Sequence, residues 1–190
     1  MDINSDNLSD SDIITKVING DVDTFRLIVE RYEAKLMRYS IYLLKDYDIA
    51  SDVVQETFIK SYINLRNFRI GKQFSSWIYR ILHNNAMNAI KSNKKTCSTA
   101  AIDEIGDDFI KKFETDKIID KKLLDAKVRK CLDKISVKYQ EILELSYFEN
   151  LKYEEISDIL HIPTSTVGVR IRRAKQMLKK ICQNEGVEYE

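Results

Sequence analysis

The fold is set by one segment of the chain, Tyr153-Glu154-Glu155-Ile156-Ser157-Asp158-Ile159-Leu160, and by the turn that follows it, His161-Ile162-Pro163. Apolar residues three and four positions apart predict a short amphipathic helix. Pro163 lacks the N–H group that would continue this helix, so the turn ends it. A second helix follows, and we expect Thr164 or Ser165 to cap it. Two helices joined by so short a turn are typical of a helix-turn-helix motif.

The second helix, predicted at about 165–181, has an apolar face and basic faces. Its apolar residues recur at helical spacing and would face the core: Val167, Ile171, Ala174, Leu178 and Ile181. Its basic residues lie on the other faces: Arg170, Arg172, Arg173 and Lys175. Arginine can form two hydrogen bonds with a guanine edge, so Arg170 and Arg173, near the helix start, are the candidates for reading bases. An ordinary helical hairpin is the alternative interpretation.

Positive charge is concentrated in two windows of the chain. The residues from Thr57 to Ile102 include eight Lys or Arg and no Asp or Glu, and those from Ile159 to Asn184 include six and none. A phosphate backbone attracts such windows through counterion release. For each window alone, an alternative interpretation is that its basic residues only form the solvated face of a helix. Two acid-free basic windows in one chain favour binding to nucleic acid.

The rest of the chain also shows helical spacing. Helices are predicted from Ser11 or Asp12 to Asn19, from Asp23 to about Leu44, from a cap at Asp46–Asp48 to about Tyr62, around Trp77–Ile90, and at about 123–134, 138–148 and 152–160. Five glycines and one proline are too few for a β-sandwich, a barrel or a Rossmann unit. We therefore predict an all-α protein with two small helical domains, 8–95 and 123–182, joined by a flexible linker at 96–122.

Aromatic residues are interleaved with the basic residues of the first window. Rings among positive charges suit single-stranded nucleic acid, because bases stack on the rings while the charges follow the backbone. Phe58, Tyr62 and Trp77 fall on apolar stripes, so we expect them in the core. Phe68 and Phe74 flank a glycine-containing loop, and we expect their rings to be exposed.

Three asparagines lie close together on the predicted fourth helix: Asn84, Asn85 and Asn88. Asparagine is a mediocre helix former, so three in five positions indicate a polar face with a specific task. Their amide groups can hydrogen-bond the Watson–Crick edge of an unstacked base. This helix is therefore the candidate reader of a flipped base.

The sequence argues against an enzyme, a metalloprotein and a membrane protein. Cys97, Cys131 and Cys182 lie too far apart for a disulfide framework or a four-ligand zinc site, which favours reduced thiols. His83 and His161 are too distant to suggest a pair, and no nucleophile–base spacing occurs. Apolar runs are too short to span a bilayer, and the acidic N-terminus is unlike a secretory signal. We expect no catalytic residue, cofactor or metal, and a cytoplasmic location.

Three motifs resemble those of extracytoplasmic-function (ECF) sigma factors. The segment Asp52-Val53-Val54-Gln55-Glu56-Thr57-Phe58 is similar to the D-x-x-Q-E-x-F segment of that family. Their F-x-x-W-[LI]-Y-[RK]-I-x-x-N signature resembles Phe74-Ser75-Ser76-Trp77-Ile78-Tyr79-Arg80-Ile81 with Asn84. The C-terminal pattern resembles Tyr153-Glu154-Glu155-Ile156, Thr166-Val167, Arg170 and Arg173-Ala174. The motifs keep the family's order, and the likeness covers essentially 10–95 and 123–182.

This resemblance implies a promoter-recognition subunit of bacterial RNA polymerase. It implies that Asp52, Gln55 and Glu56 bind core RNA polymerase. It assigns the −10 promoter element, with melting and capture of a base, to Phe68, Arg80, Asn84 and Asn88. It assigns the −35 element to Thr166, Arg170, Arg173 and Lys175. Its implied partners are core RNA polymerase, promoter DNA in duplex and single-stranded form, and an anti-sigma factor.

Two departures from the family pattern fall within the second helix of the helix-turn-helix. Gly168 and Val169 stand where the family usually has a basic residue and a serine, so we expect one base or phosphate contact to be missing. Gly168 should also weaken the helix by ~1 kcal/mol relative to alanine.

Two other functions are alternatives to a sigma factor for the same sequence. A free-standing helix-turn-helix regulator would bind duplex DNA as a dimer, but it needs neither the motif at 52–58 nor the motif at 74–84. An enzyme acting on nucleic acid needs metal-binding carboxylates in the basic windows, and those windows contain none.

Overall fold

The computed structural model describes residues 8–69, 71–93, 128 and 130–186. The chain divides into two compact units, and the division falls between Ile110 and Lys111 in the sequence. Their regular elements are helices, so the prediction of an all-α protein with two helical domains is confirmed. The predicted linker at 96–122 and Cys97 lie outside the described residues.

Four α-helices lie in the described part of the N-terminal unit, and three longer elements dominate the described part of the C-terminal unit. The first four are α1 (Asp10–Ile18), α2 (Arg26–Leu44), α3 (Tyr47–Ile63) and α4 (Phe74–Asn93), with short 3₁₀ turns at Val22–Phe25 and Leu65–Asn67. The others are α5 (Val137–Leu143), which continues as a π-helical turn at Glu144–Phe148, α6 (Tyr153–Leu160) and α7 (Thr164–Asn184). Residues 130–133 are also helical.

Helix α1 begins earlier than predicted, because its cap is Ser9 and not Ser11 or Asp12. The Ser9 hydroxyl accepts a hydrogen bond from the Asp12 N–H (3.2 Å), and the Asp12 carboxylate accepts one from the Ser9 N–H (3.1 Å). This reciprocal capping box satisfies donors that the first helical turn leaves open. The hydrogen bonds from Ser9 also lower the pKa of Asp12 below its ordinary value.

The core of the N-terminal unit is formed by α2, α3 and α4, which pack against one another. Large buried side chains from these helices include Ile28, Leu36, Tyr39, Ile78 and Leu82. Helix α3 begins at the predicted cap, where the Asp46 carboxylate accepts a hydrogen bond from the Ile49 N–H (2.9 Å). The side chain of Asp10 ties α1 to α2 by accepting hydrogen bonds from Arg31 and from the Tyr32 hydroxyl (2.5 Å). α1 therefore docks on this three-helix core.

The loop before α4 corrects the prediction that Phe68 and Phe74 are exposed. Phe68 is 6% exposed and Phe74 is 3% exposed. Gly71, with φ +103°, lets the chain fold back, and both rings then pack against Trp77, with centroids 5.3 and 5.5 Å away. Burying these rings removes a large apolar area from water, so the buried position has a lower free energy than an exposed one. Phe74 also meets the Tyr32 ring edge-on at 5.7 Å.

The aromatic residues expected in the core are only partly buried. Tyr62 is 40% exposed and meets the Phe25 ring edge-on at 5.2 Å, so its assignment to the core is wrong. Phe58 and Trp77 are half-buried. Tyr62 lies near the end of α3, where the neighbouring helices no longer cover it, and helical spacing alone does not show where cover ends.

The C-terminal unit has its own apolar core. Large side chains that are fully buried include Ile142, Leu145, Ile156 and Ile159, and Val167 from α7 joins them. The buried Gln140 on α5 donates a hydrogen bond to the Leu132 carbonyl (2.5 Å), which links α5 to the helical segment at 130–133. This core holds the start of α7 in place.

Two cysteines meet inside the C-terminal unit. Cys131 is 1% exposed and Cys182 is 0% exposed, and both are free thiols. They pack with Val128, Leu178 and Ile181. Burial, together with a hydrogen bond to Cys182, raises the pKa of the Cys131 thiol to about 11. Cys131 is therefore a protonated core residue at neutral pH.

Two kinds of feature are absent from the described ranges. None of the helices there is both long and apolar enough to cross a membrane. In the same ranges, His, Cys, Asp and Glu side chains form no group of three that could hold a metal ion.

Candidate nucleic-acid interface

The helix-turn-helix is formed by α6, a three-residue turn and α7. His161 adopts a left-handed conformation (φ 52°) that ends α6, and the Ser157 hydroxyl donates to the Ile162 carbonyl (2.6 Å) across the turn. The Pro163 carbonyl accepts hydrogen bonds from the N–H groups of Thr166 (2.8 Å) and Val167 (3.1 Å). Helix α7 thus begins directly after Pro163, and neither Thr164 nor Ser165 is its cap.

The apolar stripe predicted on α7 is buried as expected. Val167, Ile171 and Ala174 are at most 3% exposed, and the later members of the stripe, Leu178 and Ile181, are half-buried. The core therefore fixes which side of α7 faces solvent.

The solvent side of α7 carries the residues predicted to bind the −35 element. Thr166, Arg170 and Arg173 are three or four positions apart and so share one face. Arg173 is exposed, whereas Thr166 and Arg170 are half-buried. Val169, one of the two departures from the family pattern, lies on the same face and is 40% exposed. An exposed methyl-bearing side chain among these polar groups suits contact with the C5-methyl group of thymine.

Lys175, the fourth predicted −35 residue, is exposed but engaged within the protein. Its ammonium lies 4.8 Å from the centroid of the Tyr147 ring. A hydrogen bond with Tyr147 raises the pKa of Lys175, so the side chain stays charged. Tyr147 (48% exposed) comes from the π-helical turn, and sequence reasoning missed it because its contact with α7 is not local in the chain. Because Tyr147 holds its ammonium in place, this lysine is suited to contact a backbone phosphate.

Helix α4 presents the residues predicted to bind the −10 element along one stripe. Arg80, Asn84 and Asn88 are spaced by four positions, which places them on one face. Asn84 and Asn88 are exposed, and Arg80 is half-buried. The half-buried Trp77 lies at the start of this stripe. Phe68 does not join them, because its ring is buried beneath Trp77.

Asn85 differs from the two asparagines beside it. Its side chain is 5% exposed and faces α3. There its amide nitrogen donates to the Thr57 hydroxyl (3.1 Å) and its amide oxygen accepts from the Lys60 ammonium (2.7 Å). The cluster of asparagines is thus divided between an exposed pair and a buried member that joins two helices.

Helix α3 presents the residues predicted to bind polymerase. Asp52, Gln55 and Glu56 are all exposed on its outer face, while Val53 and Val54 are buried on the opposite side. Glu56 pairs with Lys60 at 2.8 Å within the helix. The N-terminal unit therefore brings an acidic face on α3 and a polar, basic stripe on α4 onto neighbouring helices, and the −35 group lies in the C-terminal unit.

Both units match known family models. Residues 28–96 match the model described as Sigma-70 region 2, and residues 125–178 match the model described as Sigma-70, region 4. The first match covers α3, α4 and their exposed faces, and the second covers the helix-turn-helix.

Curated relatives match almost the whole chain. The ECF RNA polymerase sigma factor SigW of Bacillus subtilis is 32% identical over 177 residues, which cover 88% of this chain and 93% of that protein. The RNA polymerase sigma-H factor of Pseudomonas aeruginosa is 31% identical over 182 residues, covering 92% and 94%. A free-standing regulator is not favoured, because these relatives span both units.

Solved structures share the fold. CnrH, solved with the cytosolic domain of CnrY, matches with a TM-score of 0.67 at 19% identity and covers 92% of this chain and 97% of that one. RpoE of Bartonella quintana, solved with the anti-sigma factor NepR, matches with a TM-score of 0.64 at 20% identity and covers 84% and 96%. Motifs, fold and relatives agree, and the chain belongs to the ECF subfamily of sigma-70-type RNA polymerase sigma factors.

Proposed function

We propose that this sigma factor binds core RNA polymerase through the α3 face, opens the −10 element with α4 and reads the −35 element with α7. The observation that carries the proposal is the division of the N-terminal unit into two exposed faces on packed helices, one acidic and one basic and amide-bearing. An acidic face is suited to a cationic protein surface, whereas the α4 stripe is suited to an anionic strand.

Base capture is the proposed source of strand opening. Unstacking a base costs a few kcal/mol, and hydrogen bonds to its Watson–Crick edge offset that cost. The exposed amides of Asn84 and Asn88 supply donors and acceptors, and Arg80 supplies charge for the backbone. Trp77 replaces Phe68 in this proposal, because its half-buried ring lies at the start of the same stripe and can stack on a base.

Recognition of the −35 element is proposed for the exposed face of α7. Arg173 and Arg170 are assigned to base edges, Thr166 and Val169 to adjacent contacts, and Lys175 to a phosphate. The acid-free composition of this helix favours a polyanionic ligand.

An anti-sigma factor is a further proposed partner. CnrH was solved with the cytosolic domain of CnrY, and RpoE of Bartonella quintana with the anti-sigma factor NepR. This chain shares their fold, and we propose that a protein of the same kind controls its access to polymerase. Its proposed place of action is the cytoplasm, at the nucleoid when active.

Run-off transcription tests the proposed function. Purified chain is added to core polymerase and fragmented genomic DNA, and the 5′ ends of the transcripts are sequenced. We expect starts at defined positions that share upstream −35 and −10 sequences. Transcripts that start no more specifically than with core polymerase alone contradict the proposal. Gel filtration with core polymerase adds a check, because a free-standing regulator elutes apart from it.

A further inference from the structure

A series of polar contacts joins the outer face of α3 to the buried face of α4. The Lys60 ammonium lies 2.8 Å from a Glu56 carboxylate oxygen and 2.7 Å from the Asn85 amide oxygen. The Asn85 amide nitrogen donates to the Thr57 hydroxyl (3.1 Å), and that hydroxyl donates to the Val53 carbonyl (2.7 Å). One end of the series is exposed, and the other is buried between the two helices.

Only one orientation of the Asn85 amide matches every donor in this series of contacts with an acceptor. Lysine has donors and no acceptor, so Asn85 must turn its oxygen toward Lys60. Its nitrogen then faces Thr57, whose hydroxyl hydrogen is committed to the Val53 carbonyl and whose lone pair is open to Asn85. Because Asn85 is 5% exposed and Thr57 is 0% exposed, water does not compete for these bonds. The amide of Asn85 is thus held in one orientation.

The held amide also fixes groups that would otherwise be mobile. Glu56 and Lys60 have side chains about half exposed, at 52% and 44%, and an exposed pair at this spacing is ordinarily weak. The bond to buried Asn85 anchors the ammonium, and the anchored ammonium holds one carboxylate oxygen of Glu56. The other carboxylate oxygen can still accept a hydrogen bond from a partner.

We infer that Asn85 and Lys60 are positioning residues for polymerase binding, with Asn85 acting from the DNA-reading helix through Lys60 to pre-orient the Glu56 carboxylate. This inference rests on the proposed role of Glu56. Pre-orientation raises affinity because less side-chain freedom is lost on binding. It also means that the helix carrying Asn84 and Asn88 helps to shape the polymerase-binding face.

A double-mutant cycle on the full chain tests this inference. The affinity for core polymerase is measured for wild type, E56Q, N85L and N85L/E56Q by fluorescence anisotropy of a labelled chain. We expect N85L to weaken binding about threefold in the wild-type background, the effect of freeing one ordered side chain. In the E56Q background we expect N85L to change affinity by less than the error, because E56Q removes the negative charge that the anchored Lys60 ammonium holds in place. Equal losses in both backgrounds overturn the inference, since they indicate a packing effect alone.

The conservative variant N85D provides a matched comparison. Aspartate keeps an acceptor for Lys60 but loses the donor to Thr57, so we expect N85D to bind polymerase nearly as tightly as wild type. An equal loss of affinity in N85D and N85L overturns the inference, because it shows that affinity does not depend on the contact with Lys60. Thermal unfolding of each variant establishes that it is folded. If E56Q alone leaves affinity unchanged, the polymerase role of Glu56 fails, and that outcome is distinguishable from a failure of Asn85.

Discussion

Single side chains on α7 and α4 carry the proposed recognition of promoter DNA. On α7 the buried stripe of Val167, Ile171 and Ala174 leaves Arg173 pointing to solvent. On α4 the exposed Asn84 differs from the buried Asn85 by one position and therefore by a rotation of about 100° around the helix. Neighbouring residues of the same type thus lie in different surroundings, one in solvent and one in the core.

Arg173→Ala is expected to weaken recognition of the −35 element. A bidentate arginine contact to a base contributes about 1–3 kcal/mol of discrimination, so we expect promoter-specific transcription to fall about tenfold. Lys180→Ala removes the same charge from an exposed position farther along α7 and serves as the matched control. Transcription from a −35-dependent promoter by reconstituted holoenzyme measures both. Equal losses in the two variants would reduce Arg173 to a general electrostatic role.

Asn84→Ala is expected to impair strand opening more than polymerase binding. The variant loses an amide that can bond a flipped base, and it leaves the α3 face intact. Permanganate footprinting of the −10 region reports opening, and co-elution with core polymerase reports binding. Ser92→Ala, at another exposed position of α4, is the control. An open-complex yield equal to that of wild type removes Asn84 from the proposed site.

Helices differ in how much of their stability is local. The start of α1 depends on the Ser9 capping box, whereas α7 depends on its buried stripe and tolerates a glycine in its second turn. Gly168 has a helical backbone, and a Cβ added there would lie 3.6 Å from a Tyr153 ring carbon, which is an ordinary contact. No packing reason therefore requires glycine at this position.

Gly168→Ala is expected to stabilise the protein by ~1 kcal/mol, because alanine loses less backbone freedom in a helix. Gly20→Ala is the contrasting variant, because Gly20 has φ +108° and a side chain there is strained. We expect that variant to destabilise the N-terminal unit by about 1–2 kcal/mol. Urea unfolding, followed by circular dichroism, measures both changes. Destabilisation by G168A would show that Tyr153 cannot accommodate a methyl group.

The packing of Cys131 against α7 makes stability depend on pH in the alkaline range. The pKa of this thiol is raised from 9.0 to about 11 in the folded state, chiefly by burial. Above pH 9 the unfolded thiol loses its proton while the folded thiol keeps it, so the stabilisation present below pH 9 is lost as the pH rises toward 11. Urea midpoints at pH 8 and 10.5 should therefore differ more for wild type than for Cys131→Ala. The same difference in both proteins would contradict the raised pKa.

At the scale of the whole molecule, charge distinguishes the surfaces for which different partners are proposed. The acidic outer face of α3 and the basic solvent side of α7 belong to different units. Clusters of one sign steer a partner of the opposite sign and repel the wrong one. The net charge of +1 therefore conceals two surfaces of opposite charge.

Glu56→Lys is expected to weaken the complex with core polymerase by about tenfold or more, because it places a cation where the proposed partner surface is cationic. Glu33→Lys, an equal charge change at an exposed position of α2, is the control and should bind nearly as wild type does. Gel filtration of each variant with core polymerase, at several salt concentrations, measures the effect. Co-elution of E56K at wild-type strength would place the polymerase interface elsewhere.

Much of the fold followed from local patterns. The period of apolar residues predicts the helices, the acidic cap at Asp46 predicts where α3 begins, and Pro163 predicts the turn between α6 and α7. Such features depend on residues within a few positions of each other, so the chain specifies them before it folds. The same local spacing placed Asn84, Asn88 and Arg173 on faces that the structure leaves at least partly exposed.

The amino-acid sequence by itself determined the helical elements, the family and the order of its motifs. Tertiary structure decided which faces are covered: it buried Phe68 and Asn85, left Tyr62 exposed and placed Tyr147 beside Lys175. Loop residues have no hydrophobic periodicity from which burial can be predicted. Whether a helical face is buried depends on residues that are distant in the sequence. Burial is a property of packed neighbours, and only the assembled helices supply them.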